Sequence, residues 1–278
     1  MTTIPRALTI AGSDCSGGAG IQADLKTFHS FNVFGQSAVT AVVAENTVGV
    51  QGWQAIAPAT VAMQIESCLS DIGADAAKTG MLVDAPTVCA VAAKLREHHV
   101  ANLVVDPVMR AKGGDPLIAP EAVEALVGEI FPLALVVTPN VPEAEALCGF
   151  GLETEVDFKR AAEAIRQMGP RIVVMKGGHS PANPEGESCD FVWDGTSWWT
   201  LRGARHPDRN THGTGCTFSA AVCALLARGM APREALLEAK AFVTEAIRTA
   251  PGLGKGHGPL NHWVKIEPES RRAGEPEI

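Results

Sequence analysis

Twelve residues in the C-terminal third, Asn210-Thr-His-Gly-Thr-Gly-Cys-Thr-Phe-Ser-Ala-Ala221, combine types that suit the capture of an anion. Gly213 and Gly215 permit a tight turn with no side chain in the way. Phe218, Ala221, Val222, Leu225 and Leu226 then recur at helical spacing, so the turn opens a helix, with Thr214 and Thr217 as its expected caps. The free N–H groups and positive dipole end of that helix would face the turn and attract phosphate. Cys216 falls in the first helical turn, where a thiolate is favoured. Taken alone, the same pattern also describes a glycine-rich loop that merely starts a helix.

Three further side chains belong with phosphate chemistry. Asp106 ends the apolar run from Leu103, and Glu143 lies in Asn140-Val-Pro-Glu143 at the start of a helix. Both are oxygen donors, suited to Mg²⁺ directly or through water; each also reads as an ordinary strand-end or helix-start carboxylate. Lys176 closes Ile172-Val-Val-Met-Lys176 before Gly177-Gly178, where its charge would neutralise transferring phosphates. Gly18-Ala-Gly20-Ile-Gln-Ala23 formally matches a dinucleotide fingerprint, with Glu45 as its ribose acid. The loop from Gly12 is long, however, and Glu45 lies beyond the usual offset, so an NAD-binding oxidoreductase is the remote alternative. Thr211-His-Gly-Thr-Gly-Cys216 lacks the Lys-Ser/Thr pair of a Walker-type NTPase. His98, His99, His257 and His262 read as surface residues, and Trp193, Trp198 and Trp199 as hairpin packing.

The elements that must position these groups alternate. Short strands are expected at 7–12, 36–44, 103–106, 133–138 and 172–176, and a strand end followed by a loop at 77–82. Helices are expected from Ile21 and over 61–72, 88–98, 121–127, 143–147, 156–168, 216–228 and 232–249. Glu45-Asn-Thr-Val-Gly49 reads as a polar turn, Lys112–Asp115 and 181–188 as loops, and 190–193 with 197–201 as a hairpin around Asp194-Gly195. Strand–helix alternation specifies an α/β fold, with a mostly parallel sheet covered on both faces. The polar and glycine clusters then fall beyond the carboxyl ends of the strands, where such folds bind ligands.

With 278 residues, 46% hydrophobic and 19% charged, the chain can build a large core. No linker or repeat divides it; the expectation is one domain over 1–266 and a disordered tail over 267–278. A net charge of −8 argues against nucleic acid or an anionic membrane as partner. The seven cysteines are scattered without a Cys-x-x-Cys pair, which points to a reducing cytoplasm. Residues 1–6 are too short and polar for a signal peptide, and no apolar run approaches a membrane span.

Seven motifs, in order, resemble those of the hydroxymethylpyrimidine/phosphomethylpyrimidine kinases of thiamine biosynthesis, within the ribokinase-like superfamily. They are Leu8-Thr-Ile-Ala-Gly-Ser-Asp14, the run from Ser16 to Phe28, Lys78-Thr-Gly-Met81, Asp106-Pro-Val-Met109, Thr138-Pro-Asn140 with Pro142-Glu143, Met175-Lys-Gly-Gly-His179, and the 210–221 segment. The resemblance covers about residues 6–263. It implies a three-layer α/β/α sandwich, a homodimer, and ATP- and Mg²⁺-dependent phosphorylation of 4-amino-5-hydroxymethyl-2-methylpyrimidine and its monophosphate. It further implies that Gly12, Asp24, Glu45, Met81 and Val108 surround the pyrimidine. Asn140, Thr211, Lys240 and Val243 would lie near ATP, and Asp106 and Glu143 would serve the metal. Lys176 would reach the phosphates, and Gly213, Gly215 and Cys216 would form the anion hole, with Cys216 in the position of a base or only of a packing group. The family commonly carries Gln where this chain has Glu45. An amide both donates and accepts, whereas an ionised Glu only accepts, so the ring contacts differ here. A pyridoxal/pyridoxine kinase of the same superfamily is the nearest alternative.

Overall fold

Alternate residues of each central strand are buried on opposite faces of one sheet, and two apolar layers result. The computed structural model describes residues 4–109, 119–178, 183, 185–206 and 210–265. Its strands are β1 (Arg6–Asp14), β2 (Phe34–Asn46), β3 (Gly49–Ala55), β4 (Ala76–Thr79), β5 (Leu103–Val105), β6 (Val136–Val137), β7 (Ile172–Lys176), β8 (Glu187–Trp193) and β9 (Trp198–Ala204). They form one sheet in the order β3-β2-β1-β4-β5-β6-β7-β8-β9. The six strands from β2 to β7 in that order are parallel, and β3, β8 and β9 add antiparallel edges.

Among the described residues eight α-helices cover this sheet: α1 (Gly20–Ser30), α2 (Pro58–Asp71), α3 (Ala85–Glu97), α4 (Pro120–Ala125), α5 (Val141–Cys148), α6 (Glu155–Gln167), α7 (Thr214–Ala227) and α8 (Pro232–Arg248). Leu8, Ile10, Leu103, Val105, Val173 and Met175 face the layer of α2 to α6. Ala7, Val104, Val136, Val174 and Val192 face the layer of α1, α7 and α8. The period of two expected of a sheet covered on both sides is therefore met residue by residue. Helix α4 continues through a π-helical turn, Leu126–Ile130, into a 3₁₀ turn, Phe131–Leu133.

Three of the described helices start on side-chain caps. Asp84 caps α3, and Asn140–Glu143 and Thr154–Asp157 form reciprocal capping boxes on α5 and α6. Helices α1, α2, α4 and α8 start at alanines with no side-chain cap, and α7 at a glycine. Helix α7 is buried from Thr217 to Ala227 and begins at Gly213, with no side-chain cap. Thr214 and Thr217 are thus not caps, against the sequence expectation. The Thr214 hydroxyl donates to Thr211 O, and Thr217 is buried against His262.

Two other expectations change. Strand β3 occupies residues with no assigned strand in the sequence reading, and His262 is buried rather than exposed. Lys112–Asp115, His179, part of 181–188 and the tail over 267–278 lie outside the described residues. Trp193 and Trp198 pack against the α2–α6 layer, and Trp199 against the other, as expected of hairpin tryptophans. Among the described residues no helix is long and apolar enough to cross a membrane.

Phe158 of α6 is fully buried and stacks at a tilt on Phe191 of β8, with ring centroids 4.6 Å apart. Phe158→Ala removes this contact without reaching the ligand cavity. It should lower unfolding free energy by about 3–5 kcal/mol in urea titration and leave substrate KM unchanged. A loss below about 1 kcal/mol would mean that α6 is not fixed by this contact.

Candidate active site

Strand order reverses between β1 and β4, because α1 carries the chain outward to β2 and the next crossover returns it to the other side of β1. A cavity of about 220 Å³ opens there, beyond the carboxyl ends of the strands. Each strand end contributes: Gly12 and Asp14 from β1, Glu45 from β2, Gly80 and Met81 after β4, Asp106 and Val108 after β5, Asn140 and Glu143 after β6, and Lys176 from β7. The turn Thr211–Cys216 completes the wall.

The two glycine loops interlock. Gly213 adopts a left-handed φ of 79° and its Cα lies so close to Gly18 O that no Cβ fits. This close approach sets α7 with its amino end toward the cavity. The N–H groups of Gly215 and Cys216 find no protein acceptor among the described residues, as an anion site at a helix N-terminus requires. A Cβ on Gly215 would sit 3.0 Å from Lys176 Nζ and 3.5 Å from Asp106 Oδ2. The bare turn, the cation and the carboxylate therefore converge on one point.

Around that point Lys176 Nζ donates to Asp106 Oδ1 at 2.7 Å. Desolvation disfavours the Lys176 charge, but Asp106 and Glu143 outweigh it and raise its pKa, so the cation persists. Burial pushes the Glu143 carboxyl up to about 7; Asp106 adds to the rise, while Lys176 and the N–H groups of Asn140 and Met109 oppose it. Glu143 is thus both half of the α5 capping box and a wall of the cavity. Asp106 Oδ2 receives no hydrogen bond from the described residues and faces Gly215. That free oxygen, with the nearby Glu143 carboxyl, fits a hard divalent cation that keeps part of its water.

Cys216 departs from the sequence expectation. Burial pushes its thiol up to about 11; Asp24 and Asp106 add to the rise, and Lys78 and the Gly20 N–H only partly offset it. Desolvation therefore opposes the thiolate that the position at a helix start would favour.

Three residues expected near ligands find their partners within the fold. Asp24 is fully buried beneath the site, where it accepts from Thr9 Oγ1 at 2.6 Å and from Lys78 Nζ at 2.9 Å. Lys240 lies in a buried pair with Asp190 at 2.8 Å, and Val243 packs in the α1–α7–α8 layer. None of the three lines the cavity. Their side chains are spent on the fold, a distinction that motif position does not carry.

Two groups were missed. Asp14 accepts from the N–H groups of Ser16, Gly18 and Ala19, from the Ser16 hydroxyl, and from His212 Nε2 at 3.0 Å. Burial alone would raise its pKa, yet these bonds hold it at about 2. Gly18 and Ala19 N–H are committed to Asp14, so these two donors of the glycine loop are not offered to a dinucleotide pyrophosphate. Lys78 is the other: it entered the sequence reading only as part of the Lys78-Thr-Gly-Met81 motif, with no role assigned, and it sits buried between Asp24 and the cavity.

Residues 14–261 match the family model described as phosphomethylpyrimidine kinase. The chain is 47% identical over 267 residues to a hydroxymethylpyrimidine/phosphomethylpyrimidine kinase of Haemophilus influenzae, covering 95% of this chain and 98% of that one. It is 49% identical over 260 residues to a thiamine biosynthesis bifunctional protein of Geobacter sulfurreducens, a match of 94% of this chain that spans 52% of that longer protein. An ADP complex of a Bacillus subtilis pyridoxal kinase superposes with a TM-score of 0.87 at 41% identity, over 94% of this chain and 98% of that one. The likeness runs along nearly the whole of this chain, from the first strand-end loop past the turn that opens α7, and the chain belongs to the phosphomethylpyrimidine kinase family.

Proposed function

We propose that the protein transfers phosphate from ATP to the hydroxymethyl group of 4-amino-5-hydroxymethyl-2-methylpyrimidine, and then a second phosphate to the monophosphate, in thiamine biosynthesis. The observation that carries the reading is the convergence of Gly215, Lys176 and Asp106 within one cavity. Phosphoryl transfer needs alignment and charge neutralisation more than covalent work. Lys176 supplies fixed positive charge, and the N–H groups of Gly215 and Cys216 supply donors where charge develops. Asp106 and Glu143 would hold Mg²⁺, directly or through water, and the ion would screen the phosphates. Gly12, Met81 and Val108 shape the ring end of the cavity, and Asn140 and Thr211 the nucleotide end.

With its thiol raised, Cys216 serves as a packing and hydrogen-bonding group, and the hydroxyl proton leaves late to a phosphoryl oxygen or water. We extend the reading to a cytoplasmic homodimer. The family resemblance supports the dimer, and seven unpaired cysteines support a reducing compartment. Pyridoxal phosphorylation is the second reading, favoured by the likeness to a pyridoxal kinase.

Product mass after incubation with ATP and Mg²⁺ tests both readings. Mono- and diphosphate are expected from the pyrimidine and little product from pyridoxal; the reverse preference would move the function to pyridoxal. Gly215→Ala should lower kcat by about 10²-fold, since its methyl enters the space before Lys176, and leave the fold intact by circular dichroism. An unchanged kcat would remove this turn from phosphate binding. Cys216→Ser should retain kcat within about tenfold; a fall of 10²–10⁴-fold would restore the base role.

A further inference from the structure

The phosphate chemistry leaves one cavity group unexplained. Glu45 ends the buried part of β2, with its side chain only 15% exposed. Among the described residues no N–H or O–H lies within hydrogen-bond distance of its carboxylate oxygens; His212 Nε2, at 4.0 Å from Oε2, is the near neighbour. Three titratable groups face it. Asp14 approaches from β1 and His212 from the segment before α7, while Cys15 touches only the Glu45 backbone, with Sγ 3.2 Å from O and 3.4 Å from N. His212 does not serve Glu45. Asp14 is held ionised by four other donors and takes the imidazole Nε2–H at 3.0 Å. The imidazole is therefore locked to Asp14 by an anion that cannot release it without losing its charge compensation.

A carboxylate has two acceptor oxygens and no donor. A ligand seated against Glu45 must bring the donors. A neutral 4-aminopyrimidine brings one, its amino group; the adjacent ring nitrogen carries a lone pair that would oppose the second carboxylate oxygen. One added proton removes the conflict. Placed on the ring nitrogen it yields a pyrimidinium facing a carboxylate; placed on Glu45 it yields a carboxylic acid facing a neutral ring. Both arrangements contain the same two hydrogen bonds and the same total charge.

We propose that Glu45 selects an aminopyrimidine ring by sharing with it a single proton, taken up from solvent as the ring binds. The inference rests on the substrate class given above and adds how that class is recognised. Burial raises the Glu45 pKa and the Asp14 charge raises it further, with His212 opposing, so the pocket already favours the protonated pair. Pyridoxal, with one ring nitrogen and no amino group beside it, satisfies only one oxygen and leaves the other desolvated. A glutamine in this position would carry its own N–H and need no proton.

Calorimetric titration of the pyrimidine alcohol into the enzyme without ATP, in buffers of different ionisation enthalpy between pH 7.5 and 8.5, reads the proton directly. Wild type should take up about one proton per ring, and its Kd should rise roughly tenfold per pH unit. Glu45→Gln should bind with no uptake and a flat Kd across the same range. Wild-type binding without uptake overturns the proposal, as does equal uptake by Glu45→Gln, which would place the proton on another group such as His212. If the wild type neither binds nor phosphorylates the pyrimidine, the substrate reading fails along with it. If it phosphorylates the ring without proton uptake, only the sharing fails.

Discussion

Helix α7 is apolar on every side, and such a helix is stable only inside the molecule. Its burial against the sheet and between α1 and α8 leaves it one open end. That end cannot be capped by a side chain, because Gly213 stands where Ser, Thr or Asp would normally cap. The N–H groups of Gly215 and Cys216 therefore have no protein acceptor among the described residues, and the fold holds them at the reversal of strand order. Lys176, Asp106 and Glu143 gather on this donor set because their strands end there.

The same site shows how buried charge is made tolerable. Below the cavity floor Asp24 and Lys78 pair in full burial, and Thr9 satisfies a further lone pair. Desolvation would discharge Lys78, but Asp24 outweighs it and raises its pKa. The pair keeps a positive charge under Cys216 without opening the core to water. Asp14 is treated likewise, with its charge spread over backbone N–H groups and His212. Glu45 has no such partner among the described residues, and its bonds must come from the ligand.

Most of the α/β order was legible in the sequence because the central strands are short, apolar and stopped by Pro or Gly, while the helices show 3.6-residue spacing. Strand β3 was not legible. Gly49-Val-Gln-Gly-Trp-Gln-Ala55 is almost wholly exposed at the sheet edge, so no apolar alternation marks it. What makes it a strand is pairing with β2, which lies outside local sequence pattern.

The site divides in the same way. The sequence by itself determined which groups are glycines, carboxylates and lysines at strand ends, and hence that phosphate chemistry was available. Only the tertiary structure decided which of them reach the cavity. Asp24 and Lys240 carry charges suited to ligands, yet each is consumed by a buried partner brought from a distant element. Cys216 sits where a helix dipole favours a thiolate, yet burial prevails. Asp14 and His212, 198 residues apart, form one network. Desolvation and long-range pairing are properties of packing, and no local spacing records them.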